Sequence, residues 1–369
     1  ADKHQESERA GARRVDLTEV LPAVTAEDCP VQGPFGVVDN THIGNIVDAR
    51  LVDVNDAHDP TLTKQLLCTA GVDKTVALFE IQTMEPDHIA YSRTDTLDHH
   101  KGCVVSVRTH PQMATHPYVL LCSMDKTASL YNTHTGEVVQ VFPQHTKFVT
   151  VGLFSPGVGA YVVLGGSYDQ TVSVHRWDVE RDMYAHVHTL SFKGPVESMC
   201  FSPDGSELCV GVRNDHCMHF IDFSPTGTDK GVPNFGQLAL NMNSLRDDWV
   251  SFTPMDVSYS PNGKLLLVST DKNRLNLYQR DQMALITSFY GSSNDEYSQP
   301  RHSWDPSSRF IYQTSQDYKI YGWNVQTQQI VVTLEGHTKQ VRNLSGYTSA
   351  DGCFILVSCA YDSTIRLWK

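Results

Sequence analysis

Cysteine, histidine and carboxylate side chains are the groups in this chain whose chemistry could extend to metal binding or proton transfer. Cys209, His216, Cys217 and His219 offer thiolate and imidazole atoms within one short stretch, the types that hold zinc. Strand alternation sends Cys217 and His219 to one face and His216 to the other, so core packing and surface decoration explain them more simply. His186 and His188 share a strand face but lack a cysteine or carboxylate pair at ligand spacing. The runs Gly165-Gly166-Ser167 and Gly211-Val212-Arg213 do not lead into a helix, so neither makes a phosphate cradle. Serine, histidine and aspartate are abundant, yet no nucleophile-elbow sequence accompanies them. The residues therefore assign no catalytic group, cofactor or metal, and the expectation is a protein that is not an enzyme.

What positions these side chains is a repeat. Residues 356–368 read as an apolar strand, a turn closed by Asp362, and a second alternating strand that ends on Trp368. The same figure recurs around Asp73, Asp125, Asp169 and Asp317. Weaker copies have Asn214 in the turn, or an Asp271-Lys272 turn that reads as holding one extra residue. The second strands end on Phe79, Tyr131, His175, Phe220, Tyr278, Trp323 and Trp368. Another strand precedes each unit, in several cases closed by a Ser-Pro-containing hairpin such as Ser202-Pro203-Asp204-Gly205, and a fourth strand follows each ring residue. Units this small cannot bury their own apolar faces, so seven phased copies argue for radial repetition. The expected fold class is all-β, a seven-bladed β-propeller of four-stranded antiparallel blades.

The pattern resembles the WD40-repeat family. The best match is Gly336-His337 followed by Ser358, Asp362 and Trp368; partial sets are His42, Thr69 and Asp73, then His100 with Asp125, and His145 with Asp169. The resemblance implies that these residues form hydrogen-bonded structural sets within blades rather than acid–base pairs. The fourth to sixth units lack an equivalent histidine. Lys369 follows directly on the third strand of the last unit, so its fourth strand is expected from residues 34–38, closing the ring with an N-terminal strand. Domain boundaries follow: 33–369 is the propeller, and 1–32 is an N-terminal extension, expected to be flexible apart from one short helix around 17–24.

Composition narrows the partners. With 29 basic and 42 acidic side chains the formal charge is -13, and no dense Lys/Arg run appears, so direct nucleic-acid binding is not expected. No stretch is long and apolar enough for a membrane span, so no membrane insertion is expected, and nothing marks the chain for homo-oligomerisation. Nine cysteines, odd in number and irregularly spaced, fit free thiols in a reducing intracellular setting, cytoplasmic or nuclear. The resemblance implies a scaffold or adaptor that binds protein or peptide partners in a larger complex. A propeller enzyme using the central channel and an RNA-associated subunit stand as alternatives. Trp177-Asp178-Val179-Glu180 departs at its last position from the Trp-Asp-x-Arg motif of family members that serve ubiquitin ligases.

In the family the Asp turns and His loops open on the narrower face. The residue before each turn Asp should rim that face, which gives Met124, Tyr168, Arg213, Gln316 and Tyr361, with Lys101, Phe148 and Lys339 in neighbouring loops. Tyrosine, arginine and methionine are types enriched at binding hot spots. Whether Tyr168 and Tyr361 bind a partner or seal the channel mouth stays open at this point. Insertions at 244–250 and 290–298 are also expected on the narrower face, with Trp249 as an anchor or folded back on its blade; another at 223–235 belongs to the wider face. The acidic loops favour a basic or mixed peptide.

Overall fold

The computed structural model describes residues 17, 21, 25–39, 41–166, 168–225, 233–295 and 297–369. Those residues form seven four-stranded antiparallel sheets, each with neighbouring strands joined in sequence order except the last. Alternating residues drive the pattern: one face of each strand meets the blade before it and the other meets the blade after it. The inner strands are Ile46–Asn55, Val104–Thr109, Val149–Phe154, Val196–Phe201, Pro254–Tyr259, His302–Trp304 and Val341–Thr348.

Among the described residues the buried apolar side chains fall into seven clusters, and each lies between two adjacent blades. Cys68 and Val76 of the first blade thus pack with Val107 and Leu121 of the second. A blade has no core of its own, which is why the units must close into a ring. The seven ring residues at the ends of the third strands are all buried. The last blade is completed by Pro34–Val38, with Gly36 opposite Leu367 and Val38 opposite Ile365, as the sequence requires. The Gln32 and Gly33 amides donate to the Lys369 carbonyl, and the Lys369 amide donates to Gly33, which ties the two ends further.

Two local readings change. The Asp271 turn holds no extra residue, since Ser269 faces Leu275 with the same offset as Ala70 facing Val76. The longer link is in the fourth blade, where Gly211 faces Met218. The helix expected around 17–24, and most of the 1–32 extension, lie outside the described residues. Within the part described, Leu17 and Leu21 are buried in the cluster between blades five and six, and Cys29 and Val31 in the next one.

Candidate functional site

The locks that hold one end of each blade come first, because they place everything around the channel mouth. In the last blade Trp368 Nε1 donates to Ser358 Oγ at 2.8 Å, and Ser358 lies 2.7 Å from His337 Nε2. His337 Nδ1 is 2.9 Å from the Asp362 carboxylate. The only directional sense that satisfies every atom runs Trp N–H to Ser oxygen, Ser O–H to His Nε2, and His Nδ1–H to Asp. Corresponding contacts join His42 to Asp73 and Thr69, His100 to Asp125 and Ser129, and His145 to Asp169 and Ser173. Ser129 and Ser173 sit on the third strand, not the second, so a pattern keyed to Ser358 misses them. Burial works to raise the Asp125 carboxyl, but hydrogen bonds from Thr127, His100 and the Lys101 amide outweigh it and bring it to about 2.

Where no loop histidine exists, the blade finds another partner. Asp215, rather than Asn214, closes the fourth turn: it accepts from the Cys217 amide at 2.9 Å and contacts His219 Nε2 at 2.9 Å. Asp271 caps the Thr253 amide at 2.8 Å, and Asp317 accepts from the Tyr321 hydroxyl at 2.6 Å. The ligand-type atoms of Asp215, His216 and Cys217 lie within 4.8 Å of one another. Sequence alternation placed His216 and Cys217 on opposite faces; the turn before Cys217 brings their polar atoms together instead.

The first residues of the inner strands, the Asp turns and the fourth-to-first-strand loops share one end of the ring, and the rim candidates lie there. Tyr168 is 63% exposed and meets Phe148 edge to face, ring centres 6.4 Å apart. Arg213 follows in the next blade, its Nε bonded to Glu197 at 2.7 Å and a terminal nitrogen 4.0 Å from Met255 Sδ. Burial works against the Arg213 charge, but the Glu197 carboxylate holds its pKa above the ordinary value, and the Tyr168 hydroxyl adds to that. Tyr168 and Phe148 therefore touch, and Arg213 stands in the next blade on the same rim.

The remaining candidates are spread around the mouth. The Met124 amide is bonded to Cys103 O, with the side chain partly exposed. Gln316 is tied to Asp295 through its side chain at 2.8 Å, and Tyr361 is half-buried beside Arg342. Lys101 and Lys339 are exposed in their loops. Trp249 stands 74% exposed on its insertion, its backbone fastened to Asp247 and Asn243, and does not fold back on its blade.

Sequence reasoning missed a further ring. Six inner strands have a register shift at the same place, after Ile46, Val104, Val149, Val196, Pro254 and Val341. A bulge re-aims the extra residue, and here those residues are Val47, Val105, Thr150, Glu197, Met255 and Arg342. Four of them, with Arg301 from the sixth blade, line the mouth of the channel. Aligning the second residue of every inner strand is the signal that exposes this ring. It makes the centre of an acidic protein rich in arginine.

The family model of the WD40 repeat (WD domain, G-beta repeat) matches residues 184–222 and 328–369, the fourth and seventh blades with their preceding outer strands. The chain is similar to WD repeat-containing protein 82 of Drosophila melanogaster, 27% identical over 58% of this chain and 62% of that protein. It is 24% identical to human WD repeat-containing protein 37 over 69% of this chain and 46% of the relative. With protein tipD of Dictyostelium discoideum it shares 23% identity over 82% of this chain and 45% of the relative. The matches thus span about half to three fifths of the relatives' own lengths.

Proposed function

From the premise that this chain carries WD40 repeats closed into a seven-bladed propeller, we propose that it is an adaptor in an intracellular complex and docks a protein partner on its narrower face. Proteins of this family serve generally as interaction scaffolds, and the repeats and relatives support that role. The observation that carries the choice of face is the Tyr168–Phe148 contact with Arg213 on the same rim. The fold buries its seven blade-end rings, yet leaves Tyr168 in solvent beside an arginine held ready by Glu197. Exposed aromatic and arginine side chains on a rigid scaffold supply contact area at small entropic cost. All nine cysteines are free thiols, which supports a reducing compartment.

The test is affinity purification of the full chain and of Tyr168→Ala and Arg213→Ala variants, with co-purifying proteins quantified by mass spectrometry. Both variants should lose the same partner at least about tenfold, the effect of losing a hot-spot contact of 1.4 kcal/mol or more. Thermal unfolding should be unchanged for Tyr168→Ala, because the ring is outside the core. Full retention of every partner by both folded variants would assign docking to another face.

A further inference from the structure

The channel mouth carries more arginine than its carboxylates can neutralise. Arg108 and Arg342 line the cavity from the inner strands of blades two and seven and Arg301 from just before that of blade six, against Asp48 and Asp256, with Arg50 behind Asp48. Asp48 is 2% exposed and already accepts from the Val107 amide at 2.8 Å and Arg108 at 2.9 Å, with Asn343 on its other oxygen. Asp256 is shared between Arg301 at 3.5 Å and the His302 amide at 3.0 Å. Among the described residues Arg342 hydrogen-bonds to the neutral Gln299 side chain, and its Nε has no acceptor. Arg50 Nε lies 3.5 Å from Asp48 without forming a hydrogen bond.

Neutral donors are left over at the same place. Ser106, 3% exposed, and Thr150 both line the cavity, and neither hydroxyl has a partner. Buried polar atoms are nearly always paired, and a buried charge without a partner is strongly unfavourable. Leftover guanidinium and hydroxyl donors converging on one cavity specify an acceptor-only, negatively charged occupant. Guanidinium forks match oxyanions bidentately, which a spherical halide does not exploit. The cavity volume is about 30 Å³, room for one compact ion and not for a metabolite or a peptide segment.

We propose that the channel mouth binds a compact tetrahedral oxyanion of the phosphate class, with Arg342 and Arg108 as charged donors and Ser106 and Thr150 as neutral ones. Burial lowers the pKa of Arg342, so an anion beside it relieves that charge. The site is independent of partner docking at Tyr168, and no partner enters its test.

The experiment is thermal unfolding of the full chain in sodium phosphate, with sodium chloride at matched ionic strength and phosphoserine as a second arm. Phosphate should raise Tm by at least about 2 °C over chloride, the shift expected for a ligand well above its Kd. Phosphoserine should do nothing, because the cavity has no room for it. An equal rise with phosphoserine would mean that the pocket takes phosphate groups carried by larger molecules and would overturn the free-ion assignment. Arg342→Met should unfold in chloride no earlier than the parent and lose the phosphate response, whereas Lys339→Ala should keep it. Thr150→Val, which removes only a hydroxyl, should weaken the response and serves as the readout if Arg342→Met does not fold. Equal Tm in phosphate and chloride, or an undiminished phosphate response in both channel variants, refutes the site.

Discussion

Replacing Asp362 by alanine should destabilise the closing blade more than any surface change. Its carboxylate receives four contacts: His337 Nδ1 at 2.9 Å, the Thr338 amide at 2.9 Å, the Thr364 amide at 3.0 Å and Thr364 Oγ1 at 2.7 Å. Those bonds outweigh the burial that works to raise its pKa and hold the group well below the usual carboxylate range. Alanine leaves His337, whose side chain is 1% exposed, only the longer contact of its Nδ1 to Thr364 Oγ1 at 3.3 Å, while the Thr338 amide can recover water. One buried donor left with a weaker partner, plus partial loss at the others, gives roughly 2–3 kcal/mol. Asp362→Asn keeps one oxygen for Thr364 but turns an NH₂ toward two donors, so it should cost about half as much. Urea unfolding followed by tryptophan emission measures both, since Trp368 lies at the end of the same hydrogen-bonded relay. A loss below about 0.5 kcal/mol for the alanine variant would show that the relay does not support the blade.

Asp125 makes the stability depend on acid: its folded pKa of about 2 lies below the reference 3.8, so its contribution is complete above pH 4 and fades as pH falls through 2. The shift is worth roughly 2 kcal/mol, and Asp125→Asn should flatten the stability profile between pH 4 and pH 2 while lowering it at neutral pH. Acid titration of thermal stability, parent against variant, reads this directly; superimposable slopes would exclude it. Gly102→Ala should cost about 1–3 kcal/mol, because an added Cβ would stand 2.6 Å from the Asp125 amide nitrogen and 2.9 Å from the Met124 carbonyl carbon. These are backbone atoms of the neighbouring turn and cannot rotate away, so an unchanged melting temperature would contradict the close approach.

The ring itself was legible without coordinates. Strand alternation, Asp turns and buried ring residues repeat in phase, and a unit that cannot bury its own face leaves closure as the available solution. The join of residues 34–38 to the last blade agrees with the same logic, since an unpaired strand edge is unfavourable. The positions of Met124, Tyr168, Gln316 and Tyr361 were also readable, because the residue before each turn Asp maps to a fixed place on the ring, whereas Arg213 stands one residue further from Asp215. Tertiary structure decided how they are held: Tyr168 meets the Phe148 ring from a different loop, and Arg213 of the next blade is fixed by Glu197. It also decided the substitutions within the locks, as His219 serves Asp215 and Ser129 serves His100 from strand positions that no linear motif marks. The arginine-rich channel mouth lay furthest from view. Arg301 and Arg342 are ordinary strand-flanking charges in the sequence; the closed ring brings them together with Arg108 around one cavity, where protein takes the place of part of the water that would screen them.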